Sequence, residues 1–331
     1  MKKISGDKMR DRQRDIRLLV RVAQMYYEEG ANQAEIAEKL GISKATTSRI
    51  LTEAREEGIV TITVNNPITH GYIGIEKEME IRFGLKEVIL IETNAEKPED
   101  LRKELAKAGA KYLQRVIKTG QTIGVSMGHL LKELPSFVEN YRTNKITFIP
   151  LLGGIGQTNI ELHPNQIALE LAKKFKAEYK LLHAPAIVDN FQVKELFTKD
   201  RYVQSILEMG EKVDIGLFGI GSPLINTSTL LESGYYSAEE IETLRREGAV
   251  GDICSQFVDA YGNGEQFEFN KRIIGIPLEK IREIPLAIGI AGHLERKEAI
   301  LSVLRGNYID VLIIDQLTAK AIIELDKKQR K

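Results

Sequence analysis

The sequence predicts an α/β protein. It reads as a small N-terminal helix-turn-helix unit followed by a large Rossmann-like domain, doubly wound about a parallel sheet. Three observations predict this. The chain has 331 residues, more than one small module needs, with 43% hydrophobic and 28% charged residues. Apolar residues recur at helical spacing from Ile16 to Ala54, in three blocks separated by turn residues. From Lys86 onward, near-continuous apolar runs alternate with amphipathic ones, as in a sheet covered on both faces.

Up to Arg21 there are eight basic residues against three acidic ones, although the whole chain balances 47 against 47. The total excludes a generally basic nucleic-acid coat, and the basic patch is local. Ile16, Leu19, Val20, Ala23 and Tyr27 make one face of a first helix apolar, and Gly30 and Asn32 break it. A second helix follows from Gln33, with Ile36, Ala37 and Leu40 as its stripe. Gly41 suits a left-handed turn, Ile42 plugs the angle, and Ser43 can cap a third helix striped by Thr47, Ile50, Leu51 and Ala54. Small Ala37 lets the two helices cross closely. The third helix presents Lys44, Ala45, Thr46, Ser48 and Arg49 outward, short or polar residues with two cations. Such a face enters a major groove and contacts phosphates or base edges, with Gln33 and Ser43 positioned at the helix starts. Ile59 to Val64 is β-rich and predicts the strand of a winged variant.

Asn65-Asn66-Pro67 reads as a boundary. The expected domains are therefore residues 1–66 for DNA binding, 67–84 for a linker helix through Ile75, Met79 and Phe83, and 85–331 for ligand binding, to which the resemblance given below adds oligomerisation. Strands are expected at VILIET, TIGVS, KITFIPLL, YKLLHAP, VDIGLFGIGS, RIIGIPL, LAIGIAG and VLIIDQ. Helices are expected at 100–118, 165–175 and 297–305. Ligands of such sheets bind beyond the carboxyl ends of the strands. That rule selects four turns: Gly124 to His129 with Ser126, Met127 and Gly128; Gly153-Gly154; Gly219 to Ser222 with Gly221; and Asp315 to Thr318 with Lys320 in the following helix. Small residues there let backbone amides approach an anion. Asp252 and Asp259 stand seven apart. That spacing fits two carboxylates on one side of a helix; a helix cap at Asp252 and a turn at Asp259 are equally compatible.

No G-x-G-x-x-G follows a strand, and neither G-x-x-x-x-G-K-[ST] nor H-E-x-x-H occurs, which argues against nicotinamide, nucleotide-hydrolysis and zinc-protease chemistry. One cysteine, Cys254, makes no intramolecular disulfide and no cysteine-based metal site, and the five histidines lack metal spacing. No cofactor, no metal and no catalytic residue is expected. No apolar run is long enough for a membrane span, and the basic start lacks the pattern of a signal peptide, so a cytoplasmic protein is expected.

The runs AEIAEKLGISKATTSRIL, GVSMG, LLGGIG with Asn165-Gln166, GAVGDICSQFVDAYGN and VLIIDQLTAKAI, in this order, resemble the SorC family of bacterial sugar-responsive transcriptional regulators. The resemblance implies an effector domain similar to sugar-phosphate isomerases and deaminases that has lost catalysis and kept the pocket. It implies a phosphorylated sugar as effector, operator DNA as partner, and a homodimer or homotetramer. It also implies phosphate on Ser126, Met127 and Gly128, assisted by Lys320, and sugar on Gln166 and Asp252. His129 and Leu130 stand where relatives often carry threonines, and Leu152 stands where some place a basic side chain. The expected function is a sequence-specific DNA-binding regulator, a repressor of a carbohydrate-catabolism operon controlled by a phosphorylated sugar, with no membrane partner. The competing reading is a sugar-phosphate isomerase or deaminase fused to a DNA-binding unit.

Overall fold

A computed structural model describes residues 4–62, 72–95, 97–139, 145–154, 160–223 and 236–330, the side chains of residues 4–15 excepted. The chain divides into two compact units, residues 1–69 and 70–331.

The smaller unit holds α1 (Ile4–Tyr27), α2 (Gln33–Leu40) and α3 (Lys44–Glu56). Asn32 caps α2 in a reciprocal box with Glu35, and Gly41 ends it at φ 65°, a conformation that glycine adopts without Cβ strain. Ser43 then caps α3 by accepting the Thr46 N–H at 3.0 Å. The core is Leu19, Val22, Met25, Ile36, Ile50, Leu51 and Ala54, with Ile42 packed against it. Each large apolar side chain buried there contributes about 1.5–3 kcal/mol.

The expected wing does not form over residues 59–62, which carry no strand; residues 63 and 64 lie outside the described residues. The reason is local. Val60 donates its N–H to the Ala54 carbonyl at 3.0 Å, closing the end of α3, and Ile59 and Val60 pack on the three-helix core.

The larger unit runs α4 (Ile73–Phe83), β1 (Glu87–Ile91), α5 (Pro98–Val116), β2 (Thr122–Val125), β3 (Thr147–Pro150), α6 (Pro164–Phe175), β4 (Glu178–Tyr179), α7 (Phe191–Lys199), α8 (Arg201–Gly210) and β5 (Ile215–Gly221). It continues with α9 (Ala238–Arg246), β6 (Gly251–Ile253), β7 (Gln256–Val258), α10 (Leu278–Glu283), β8 (Leu286–Ile290), α11 (Lys297–Arg305), β9 (Val311–Asp315) and α12 (Gln316–Gln329). The strand order is β1-β9-β8-β5-β2-β3-β4, and every pairing along it is parallel. Successive side chains feed two cores: on β9, Val311 and Ile313 enter one and Leu312 and Ile314 the other.

Three expectations need correction. The segment 67–84 is not a separate linker: α4 belongs to the larger unit, with Met79 and Phe83 in its core. Glu80 and Glu76 of α4 also accept the Val88 and Leu90 N–H groups of edge strand β1, each at 3.0 Å. RIIGIPL forms no strand, only isolated bridges from Gly275 to Leu152 and from Ile273 to Ile187. Pro277 lacks an N–H to extend a ladder and instead starts α10. YKLLHAP keeps only its first residue in β4, and its far end bridges Pro185 to Gly154. Of the readings open for Asp252 and Asp259, the helix does not form, and Asp259 makes the turn, accepting the Tyr261 and Asn263 N–H groups at 2.8 Å each. The stretch with Asp252 is the β6–β7 hairpin, an antiparallel pair turning at Cys254 and Ser255, both at positive φ (53° and 60°). Among the described residues no helix is long and apolar enough to cross a membrane.

Candidate functional site

In the smaller unit Ser43, Lys44, Ala45, Ser48 and Arg49 are exposed, and Gln33 and Thr46 half-buried. All but Gln33 sit at the start of α3, so the sequence-nominated face is continuous. The Ser43 hydroxyl is engaged as the cap, and it also lies 2.8 Å from the Thr46 hydroxyl. It thereby fixes the start of α3. Buried Thr47 bonds back to the Ser43 carbonyl at 3.2 Å and turns its neighbours outward.

In the larger unit the strand order reverses between β2 and β5. A cavity of about 450 Å³ opens beyond the carboxyl ends of β2, β5 and β8, within the usual range for small-molecule sites. Ser126, Met127, Gly128 and His129 follow β2 into its wall, Gly221 closes β5 there, and Asp252 reaches it from the hairpin. Those six nominated residues come together. The Ser126 N–H is used on Leu217 O at 3.0 Å, whereas Met127 and Gly128 N–H make no backbone hydrogen bond among the described residues.

Asp252 is the electrostatic centre. It is 7% exposed, and its Oδ1 is buried without a hydrogen-bond partner among the described residues. Burial pushes its carboxyl up to about 7, against the pull of Arg296 and the Ser255 N–H. Gly221 must be glycine for this placement, since a Cβ would collide with Asp252 Oδ1. Burial likewise raises the Cys254 thiol, with Asp252 adding to it.

The other nominated residues do not line the cavity. Gly124 packs its Cα against Leu151 within the sheet. Gly153 and Gly154 bond to Ile274 O and Ala184 O at 2.8 Å each, and a Cβ at Gly153 would strike the Pro185 carbonyl. These glycines permit close backbone approach. Gln166 donates to Glu170 on α6 at 3.1 Å, and Lys320 Nζ lies 5.7 Å over the Tyr72 ring. Leu152 is buried in the core, leaving no amine at that position.

Ser222, in the selected turn after β5, also lines the cavity, and its walls include residues that sequence reasoning missed: Arg102 on α5, Ser255, and His293 and Arg296 after β8. Arg296 donates to the Ile220 carbonyl at 3.0 Å; burial lowers its guanidinium and Asp252 opposes this. The strand-end rule applied to LAIGIAG would have found His293 and Arg296. The run Gly124 to Gly128 also has the G-x-S-x-G spacing of a hydrolase nucleophile turn, but Ser126 is only 1% exposed.

Residues 7–57 match the family model described as "Sigma-70, region 4", and residues 69–324 match the one described as "Putative sugar-binding domain". The sorbitol operon regulator of Klebsiella pneumoniae is 31% identical over 312 residues, covering 94% of this chain and 98% of that protein. The chain belongs to the SorC family of sugar-binding transcriptional regulators. Another SorC-family relative, the deoxyribonucleoside regulator of Bacillus subtilis (strain 168), is 32% identical over 306 residues, 92% of this chain and 97% of that one. The crystal structure of the full-length sorbitol operon regulator superposes with a TM-score of 0.72 at 32% identity, over 93% of this chain and 99% of that one. A DeoR family regulator from Listeria monocytogenes gives 0.71 at 35% identity, over 76% and 100%. The chain is thus a DNA-binding transcriptional regulator with a sugar-binding effector domain, and its relatives are regulators rather than enzymes.

Proposed function

We propose that this SorC-family chain represses a carbohydrate-catabolism operon in the cytoplasm, as a homodimer or homotetramer, and releases its operator when a phosphorylated sugar fills the cavity. The observation that carries this reading is the cavity's polarity: free Met127 and Gly128 amides and the Arg296 guanidinium line it with the buried, unpartnered Asp252 Oδ1. Amides and a guanidinium suit a phosphate, and a carboxyl suits sugar hydroxyls. Ser126, His129 and Gly221 complete the assigned contacts, while Gly124, Gly153, Gly154, Gln166 and Lys320 act at most through the packing around them. Relatives are named for a sorbitol operon and for deoxyribonucleosides, which supports a sugar-derived ligand.

A ligand changes DNA affinity only by binding two arrangements of the protein unequally, typically by ~1–3 kcal/mol. On the DNA side, Gln33, Lys44, Ala45, Thr46, Ser48 and Arg49 are assigned to the operator, with Ser43 setting the helix start. The test is operator binding at fixed salt, with sugar phosphates and the corresponding free sugars added in turn. Weaker operator binding with a phosphorylated member and no change with its free counterpart is expected. Indifference to every member refutes the reading. Arg49→Ala should weaken operator binding and leave ligand affinity unchanged.

A further inference from the structure

The C-terminal ends of α4, α11 and α12 meet at one carboxylate. Asp326, in the last turn of α12, has no exposed surface. Arg305 at the end of α11, Arg82 in the last turn of α4 and Arg330 donate to it at 2.8, 3.2 and 2.7 Å. Burial alone would raise this carboxyl. The hydrogen bonds from Arg305, Arg82 and Arg330 outweigh it and hold the group below its ordinary value.

The opposite end of α11 begins at the cavity, and that of α12 touches its wall through one residue. α11 starts directly after Arg296. α12 is capped by Asp315, which accepts the Thr318 N–H at 2.9 Å and its hydroxyl at 2.7 Å. Asp315 Oδ2 also accepts the N–H of His293 at 3.0 Å. His293 is a cavity-wall residue held at φ 84°, an uncommon conformation for a side chain to occupy. The neighbouring Gly292 leaves no room for a Cβ, which would stand 2.6 Å from the same oxygen. Cavity wall and helix cap therefore share a carboxylate. A 14-residue helix carries a shift at its cap roughly 20 Å to its other end.

At that far end one arginine holds two helices at once, through Nη1 on Asp326 and Nη2 on Glu78. Arg82 contacts Asp326 on α12 and also Glu78 on its own helix, at 2.8 Å, and Lys327 of α12 reaches the same Glu78 at 3.0 Å. A hub that served only to fasten helices needs no buried charge, because apolar packing does as well. Because separate nitrogens serve the two acceptors, Arg82 can let go of Asp326 and stay bound to Glu78, which is the kind of exchange a switching element requires.

We propose that the Asp326 hub relays occupancy of the cavity to α4, with Arg82 as the positioning residue that transmits it. In chain order α4 is the first described helix after the segment leading from the DNA-binding unit. The inference rests on the reading above, that a ligand in this cavity changes operator binding.

The test is hydrogen exchange on the full chain, with and without saturating ribose 5-phosphate, glucose 6-phosphate or inorganic phosphate, beside operator binding under the same conditions. In the wild type, protection at 126–131 and 291–296 should come with an altered exchange rate over 73–83. Arg82→Gln should keep the cavity protection, lose the response of 73–83 and cut the ligand-dependent change in operator affinity by about fivefold or more. Glu78→Ala, at a more exposed position, removes the second acceptor and should flatten the same response, so the test survives if the arginine variant folds poorly. Protection of the cavity with a silent α4, or variants that respond like wild type, overturns the relay alone. No protection of the cavity by any of the three probes refutes the sugar-phosphate reading and the relay with it.

Discussion

Replacing Asp252 by asparagine should remove a pH dependence of folding that the cavity builds in. The Asp252 carboxyl ionises near 3.8 in the unfolded chain and at about 7 in the folded one. Below the lower value both states hold the proton. Between the two, the unfolded state loses it while the folded state keeps it, so stability falls as pH rises. Above about 7 both are ionised and the loss is complete. A difference of ~3 pH units at 1.36 kcal/mol each makes this roughly 4 kcal/mol, and about 3 kcal/mol of it falls between pH 5 and 8. The amide of the Asp252→Asn variant does not titrate in this range. Any constant effect of leaving Arg296 without its neighbouring carboxylate cancels when the two proteins are compared at two pH values. Urea unfolding of both proteins at pH 5 and pH 8 is the assay. The wild type should lose about 3 kcal/mol more than Asp252→Asn across that range, or roughly 6–12 °C in melting temperature for a unit of this size. Parallel pH profiles would show that the carboxyl is solvated in solution, and the electrostatic account of the cavity would fall with it.

Gly221→Ala places a methyl against Asp252 Oδ1 and should weaken sugar-phosphate binding about tenfold or more by calorimetry; unchanged affinity would separate Asp252 from the ligand. Ser43→Ala removes the α3 cap and should cost ~1 kcal/mol, read as faster amide exchange at Thr46 and Thr47. Asp326→Asn leaves three guanidinium groups without their carboxylate and should destabilise the larger unit by ~3–5 kcal/mol at neutral pH. Because that carboxyl is held below its ordinary value, the stability it supplies is present above the unfolded value of 3.8 and lost as pH falls through the folded one. The gap between wild type and Asp326→Asn, followed by circular dichroism, should therefore narrow in acid.

Much of this architecture is legible in local pattern. The helix-turn-helix is written in short-range terms, with a cap at Ser43, a left-handed Gly41 and stripes at 3.6-residue spacing, and the structure keeps each of them. The strands β1, β2, β3, β5, β8 and β9 announce themselves as apolar runs. What local pattern misreads is set by distant partners. RIIGIPL has the residues of a strand, but Pro277 and the neighbours it meets permit only single bridges. The Asp252 segment carries a spacing that suits a helix as well as a hairpin, and its pairing with β5 decides the matter. The cavity divides in the same way. Glycine-rich turns at strand ends point to Ser126, Gly128 and Gly221, whereas Arg296 lies four residues past the last glycine of LAIGIAG and enters the site through the chain's path after β8. Gly153 and Gly154 carry the signature for another reason, the close passage of residues 184 and 185.

The opening strand of the larger unit, β1, lies beside β9, which precedes only the final helix. Synthesis therefore delivers the two functions at very different times. The core described for the three-helix reader lies within residues 19–60, which are made long before the sheet can close on its last strand. A polypeptide broken upstream of Val311 would carry the helix-turn-helix without the strand that joins β1 to β8. Completing the last strand thus matters for the sensing half and not for the reader's own core.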